Sequence, residues 1–182
     1  MLRQISVIML LAAQTANGDC ALELGVPNTT ATEMRKLKPL VSPETLMVLG
    51  AIESGYDADA RSQAGALGLM QVTQTAAWEV WLESRRRRGD KVWARFCGTL
   101  PEPTEELLID VRHNIRFGAC YWRLVSEQMA GNLALALAAY NGGYRQTERL
   151  QAGKRIATET AQYISKYMYI TERSPSCKRS SH

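Results

Sequence analysis

Glu53 is the residue whose type and setting in this sequence point most directly to chemistry. Leu46, Leu49 and Glu53 are separated by three and four positions, so on a helix the carboxyl shares a face with two leucines. A carboxyl removed from water holds its proton to higher pH, by up to about 3 to 5 units in extreme cases. It could then deliver a proton near neutrality, the first requirement of general acid catalysis. From spacing alone, a surface glutamate near a helix end is the plainer reading. Asp57 and Asp59 follow in a loop, where aspartate ordinarily shapes turns and caps, so neither is a convincing second carboxylate.

The elements that must position these residues read as helical almost throughout, with few alternating β-branched runs, and an all-α fold is predicted. Ser42-Pro43 opens a helix that runs to about Ser54 and breaks at Gly55, with serine as cap and proline at the first helical position. Residues 56–68, rich in Asp, Ser, Ala and Gly, read as a loop into a second helix beginning near Gln71 and carrying Trp78 and Trp81. Pro101 and Pro103 mark a later connection. Asp110 caps a helix whose Val111, Ile115, Gly118, Trp122 and Val125 form a buried stripe, Gly118 allowing a neighbouring helix close. Asn132 caps an apolar helix that stops at Asn141-Gly142-Gly143. Thr158 is predicted to cap a last helix with Tyr163, Tyr167 and Ile170 on one side. Beyond Arg173 the residues 174–182 read as a loose tail, held through Cys177.

A chain of 182 residues fits one domain with a sizeable core, and no internal repeat or linker divides it. Apolar and charged shares of 46% and 22% are ordinary for a globular protein and argue against disorder and polytopic membrane classes. Residues 1–18 differ: Arg3 precedes an apolar run from Ile5 to Ala13, and the small residues Ala16 and Gly18 follow. That is the pattern of a cleaved signal peptide, and the run is shorter than the roughly 20 apolar residues a spanning helix needs. An uncleaved anchor is the competing reading, whereas Asp19 opposes lipid attachment at Cys20. In an exported chain Cys20, Cys97, Cys120 and Cys177 permit two structural disulfides in three pairings, all left open, and no C-x-x-C spacing suggests metal or redox chemistry. With only His113, read as a helix-surface residue, and the terminal His182, no metal centre is expected, nor any organic cofactor. The run Arg85 to Arg88, with Lys91 and Arg95, reads as a solvated helix face, its alternative being contact with acidic peptides or a partner. Nucleic acid is not an expected partner of an exported chain.

The stretch Ala51-Ile52-Glu53-Ser54-Gly55-Tyr56 and then Ser62-Gln63-Ala64-Gly65-Ala66-Leu67-Gly68-Leu69-Met70-Gln71 resembles the glutamate-serine and glycine-leucine-methionine-glutamine motifs of the soluble lytic transglycosylases, relatives of goose-type lysozyme. Asn114-Ile115 with Gly118 and Tyr121-Trp122, then Ala138-Ala139-Tyr140-Asn141-Gly142-Gly143, then Glu159-Thr160 with Tyr163, continue the likeness in the family's order across residues 42–170. The resemblance implies a lysozyme-like helical domain over residues 19–173 that cuts the bond between N-acetylmuramic acid and N-acetylglucosamine in peptidoglycan strands. It implies no enzymic nucleophile: the substrate's N-acetyl group stabilises charge at C1, while Glu53 first protonates the leaving oxygen and then takes the proton of the muramic 6-hydroxyl, leaving a 1,6-anhydro end.

The same likeness gives Ser62 the orientation of the N-acetyl group, Gln71 a contact with the glycan, and Tyr140 a place beside the acid. Asn141 shapes a turn with a lesser sugar contact, and Glu159 lines the groove or stabilises its helix start. Gly65 and Gly68 allow close backbone approach, and Met70 packs the core. Thr73-Gln74 and Leu67 depart from the family pattern, and the segment from Trp78 to Pro103 has no counterpart in it. The compact form resembles accessory enzymes that open the wall for conjugation or secretion machines, implying a periplasmic monomer without stable membrane insertion. A hydrolase of the same bond and a non-catalytic glycan-binding scaffold remain the rivals.

Overall fold

The computed structural model describes residues 18–87 and 89–178. Residues 1–17, on which nearly all of the expected signal peptide falls, Arg88 and the last four residues lie outside them. Ten α-helices are found among the described residues, together with one 3₁₀ turn (Pro175–Cys177) and two isolated β-bridges, Arg61 with Leu67 and Leu67 with Val72. The helices are α1 (Cys20–Glu23), α2 (Asn28–Lys36), α3 (Pro43–Glu53), α4 (Gln74–Arg86), α5 (Lys91–Phe96), α6 (Glu105–Ile109), α7 (Val111–Gln128), α8 (Leu133–Gly142), α9 (Tyr144–Gln151) and α10 (Thr158–Arg173). None is long and apolar enough to cross a membrane.

Two helices form the centre because their sequences leave no polar face to expose. In α8 the run Ala136-Leu137-Ala138-Ala139 is buried, and α7, α9 and α10 pack around it. In α3 every residue from Pro43 to Gly50 except Glu44 is buried, with α2 and α10 against it. The apolar stripe expected under Glu53 is therefore a helix sheathed nearly all round. Helix α7 keeps the expected one-sided burial at Ile115, Gly118, Trp122 and Val125, and it packs on α2, α4, α6 and α8.

Most helix starts are set by local chemistry. Ser42, Asp110 and Asn132 each accept a backbone N–H from the third residue onward, satisfying donors the first helical turn cannot pair. Thr158 does not cap: it is the first helical residue, Ala157 holds the cap position, and the N–H of Ala157 is bonded instead by the Gln146 side chain at 2.9 Å. The second helix likewise starts later than predicted, at Gln74, with Thr73 as its cap, because the chain around Gln71 makes a turn first.

Two disulfides close the molecule, Cys97 to Cys120 and Cys20 to Cys177. The first pins α5 to α7, and the second ties the end of the chain to α1, so the tail through Cys177 is held rather than loose. The arginine run is not one solvated helix face. Arg85 and Arg86 are exposed at the end of α4, whereas Arg87 lies beyond the helix and pairs with Glu83 and Glu127, joining α4 to α7. The guanidinium of Arg85 stacks on Trp81, 3.3 Å from the ring centroid.

Candidate active site

Glu53 is the last residue of α3, placed there because Gly55 at φ +63° carries the chain out of the helix. Ser54 donates from Oγ to the carbonyl of Leu69 at 2.8 Å, which ties this helix end to the turn at 68–71. That turn is clamped from the other side by Asn114, buried on α7. Its Oδ1 accepts the Met70 N–H at 2.7 Å, and its Nδ2 donates to the carbonyls of Leu67 and Leu108 at 2.8 and 2.6 Å. Gly68 takes φ +69°, and a β-carbon there would meet Asn114 Nδ2 at 2.6 Å, so the turn requires glycine twice over. Gly118 serves the same packing. It admits Met70, whose Cβ would lie 2.6 Å from an added β-carbon, and Tyr140, whose hydroxyl would lie at 3.1 Å, rather than a whole helix.

Around the carboxyl are tyrosines. Tyr163, reached from α10, donates from its hydroxyl to Glu53 Oε1 at 2.6 Å. Tyr140 donates to the Met70 carbonyl at 3.1 Å, and the charge of Glu53 adds to burial in holding its phenol well above the ordinary range. Burial likewise raises Tyr163, with Glu53's charge next. The Glu53 carboxyl itself is pushed up to about 7: burial raises it, the Tyr163 hydrogen bond pulls it down by less, and the charge of Glu159 adds a further rise. A carboxyl poised there is divided between acid and conjugate base at neutral pH, and it can give a proton in one step and take one in the next.

Gln71, Tyr140 and Asn141 line one cleft of about 270 Å³, together with Glu79, Tyr121 and Tyr144. Gln71 is not at a helix start. It adopts φ +47°, a strained backbone for a residue with a side chain, and its Nε2 donates to the carbonyls of Ala60 and Gly68 at 3.2 and 2.9 Å. Glu159 is exposed and acts on Glu53 through its charge. Met70 is fully buried, and Gly65 turns the chain at φ +78°. Ser62 is exposed in that turn, its Oγ accepting the Ala66 N–H at 3.0 Å, and none of its hydrogen bonds reaches Glu53. Asp57 Oδ1 accepts the Asp59 N–H at 2.9 Å, the turn role expected of these loop aspartates. A larger hollow of about 700 Å³, lined by residues of 38–45 and 122–131, adjoins the opposite end of α3 and contains none of these groups.

Two contributors were not singled out from the sequence. In the sequence Tyr163 stands only on one side of the last helix, and its place within the last matched motif is the available signal. Asn114 was noted only as part of a motif, and its three hydrogen bonds to distant backbone have no local signature.

These features define an all-α, lysozyme-like domain with one half-buried carboxyl beside a tyrosine-lined cleft. The chain belongs to the transglycosylase SLT domain family, which matches residues 30–163. Among solved structures it is similar to an inactive mutant of the lytic transglycosylase Slt from Pseudomonas aeruginosa, at 27% identity and a TM-score of 0.61, covering 83% of this chain and 25% of that one. It also shares its fold with the 70 kDa soluble lytic transglycosylase Slt70 from Escherichia coli, at 20% identity and a TM-score of 0.53 over 80% of this chain and 25% of that one. This chain thus spans about a quarter of the length of each.

Proposed function

We propose that this protein is a peptidoglycan lytic transglycosylase that cuts the β-1,4 bond between N-acetylmuramic acid and N-acetylglucosamine and leaves 1,6-anhydro ends. The observation that carries this reading is the carboxyl of Glu53, raised to about 7 by burial and held by Tyr163. Protonated Glu53 gives its proton to the glycosidic oxygen as the bond to C1 breaks. The substrate's N-acetyl oxygen then shields the positive C1, a role that needs no second enzymic carboxylate. Glu53, now anionic, removes the proton of the muramic 6-hydroxyl, whose oxygen closes on C1. The Tyr163 hydroxyl stabilises the anionic stage, and Glu159's charge opposes it, so the proton is returned for the next cycle. Gln71, Tyr140 and Asn141 offer the cleft wall to the glycan, and Ser62, whose Oγ accepts one bond and keeps its own proton, can donate to the N-acetyl carbonyl.

Export through residues 1–18 to the periplasm is the route the signal pattern supports, and local wall opening for a conjugation or secretion machine is the role we assign to it there. The decisive experiment is mass spectrometry of peptidoglycan digested with the purified protein and with Glu53→Gln. Anhydro-ended fragments from the native chain alone are expected. Reducing ends would make it a hydrolase, and equal digestion by both proteins, or none by either, would remove Glu53 from the chemistry.

A further inference from the structure

The cleft beside Glu53 is itself lined by a carboxylate that the acid chemistry does not use. Glu79 lies half-buried on α4 and reaches the wall formed by Tyr121, Tyr140 and Tyr144. Tyr144 donates from its hydroxyl to Glu79 Oε1 at 2.7 Å, while Oε2 meets no donor among the described residues. The neighbouring carboxylates are treated differently. Glu83, one turn further along the same helix, pairs with Arg86 and Arg87, and Glu127 across from it pairs with Arg87 and Arg123. Glu79 pairs with no arginine, lysine or histidine among the described residues, although the chain is rich in arginine nearby, and no basic side chain lines its cleft.

A half-buried carboxylate with no basic partner among the described residues favours a ligand that supplies the counter-charge. The walls agree with this requirement. The Tyr121 and Tyr140 rings, 5.4 Å apart, both line the cleft, aromatic walls of a kind that accommodates cations, and the cleft offers no positive charge of its own. A neutral sugar hydroxyl could bond Oε2 but would leave the charge uncompensated.

We infer that the Glu79–Tyr144 end of the cleft binds a primary ammonium group of the substrate, carried by a peptide attached to the wall glycan. The inference rests on the wall-glycan reading above and assigns this cleft the selection between amine-bearing and amine-blocked strands. Because Tyr140 lines the cleft and also senses the charge of Glu53, an ammonium seated at Glu79 would fix the register of the glycan relative to the acid.

The test uses a disaccharide-peptide fragment whose stem ends in a diamino acid, and the same fragment with its amine acetylated. Binding is measured by calorimetry to the Glu53→Gln protein, which holds the fragment intact, and to the Glu53→Gln/Glu79→Gln protein. Turnover of both fragments is compared between the native chain and Glu79→Gln. Preference for the free amine of roughly tenfold is expected in proteins that retain Glu79, collapsing to about one without it. Tyr144→Phe, which keeps the charge of Glu79 and removes the hydroxyl's contacts with Glu79 and Gln128, should retain most of the preference, and unchanged binding of the acetylated fragment shows that loss in Glu79→Gln is not a folding defect. A preference that survives Glu79→Gln, or is absent from the native protein while both fragments bind, overturns the subsite and leaves the wall-glycan reading standing. No binding of either fragment to any of the proteins overturns that reading and the subsite with it.

Discussion

Tyr163 and Glu53, 110 positions apart, meet through a hydrogen bond of 2.6 Å that opposes, without cancelling, the effect of burial on the carboxyl. The tyrosine stabilises the anion while the surroundings stabilise the acid, and the balance falls at about 7. Replacing Tyr163 by phenylalanine removes only the downward contribution. For the proposed reaction, kcat/KM requires protonated Glu53, so its basic limb should fall with a midpoint near 7 in the native protein and move to higher pH in Tyr163→Phe. The plateau should drop on the order of tenfold or more, since the anionic stage loses its donor. A limb that stays in place would mean that Glu53 is not the titrating acid.

The same shift has a consequence for stability that requires no substrate. Glu53 binds its proton more tightly folded than unfolded, so stability falls as pH rises from about 4.5 through about 7 and remains lowered above that. The full penalty is on the order of 3 kcal/mol, taking about 1.4 kcal/mol per pKa unit. Glu53→Gln, which never carries the charge, should therefore melt higher than the native chain at pH 8 by several degrees, and by little or nothing at pH 4. Thermal melts at the two pH values decide this.

How far these relationships could be read beforehand depends on their range along the chain. The caps at Ser42, Asp110 and Asn132 are legible because a cap bonds a backbone N–H only a few residues away. Thr158 has the right residue type and still does not cap, because it lies within the helix as its first residue, with Ala157 in the cap position and fixed by Gln146 from another helix. Gln71 reads as a helix start because periodicity carries no trace of a left-handed residue, and it is the positive φ there that delays α4 to Gln74. Glu53 itself stood out by its leucines and its motif. Its Tyr163 partner, the Asn114 clamp and the setting of Glu79, bonded by Tyr144 and by no basic side chain among the described residues, arise from packing between elements far apart in sequence, and nothing in local spacing sets Glu79 apart from Glu83.

The fit of Gly118 against the 68–71 turn gives a third expectation. In an exposed helix, glycine to alanine would gain about 1 kcal/mol from propensity. At Gly118 the new methyl would lie 2.6 Å from Met70 Cβ, an atom fixed to backbone that Asn114 already holds, so steric strain should win. Gly118→Ala should lose about 1 to 3 kcal/mol in urea unfolding. Asn114→Ala, which removes the partner of the Met70 N–H and the side-chain bonds to the Leu67 and Leu108 carbonyls, Leu67 keeping the Val72 N–H, should lose about 2 to 3 kcal/mol. Both should weaken substrate binding through Gln71, the next residue along. A stabilised Gly118→Ala would show that the turn yields readily.

The two disulfides should contribute unequally, because they close loops of different length. Cys97 and Cys120 are 23 positions apart, and Cys20 and Cys177 are 157 apart, which by loop entropy corresponds to about 3.4 and about 5 kcal/mol. The longer bridge, however, holds only the four-residue α1 and the final 3₁₀ turn, and those elements can separate locally while the helices around α8 stay packed. The shorter bridge joins α5 to α7, the helix that carries Asn114, so its loss reaches the site. Replacing Cys97 and Cys120 by serine should lower the Tm by roughly 6 to 12 °C and reduce glycan binding. The corresponding change at Cys20 and Cys177 should fall short of its loop-entropy value and leave glycan binding nearly intact. All four sulfurs are buried, so reductant should act slowly below the melting range and abruptly within it. A larger loss on opening the Cys20–Cys177 bridge would instead show that the chain ends are part of the cooperative core.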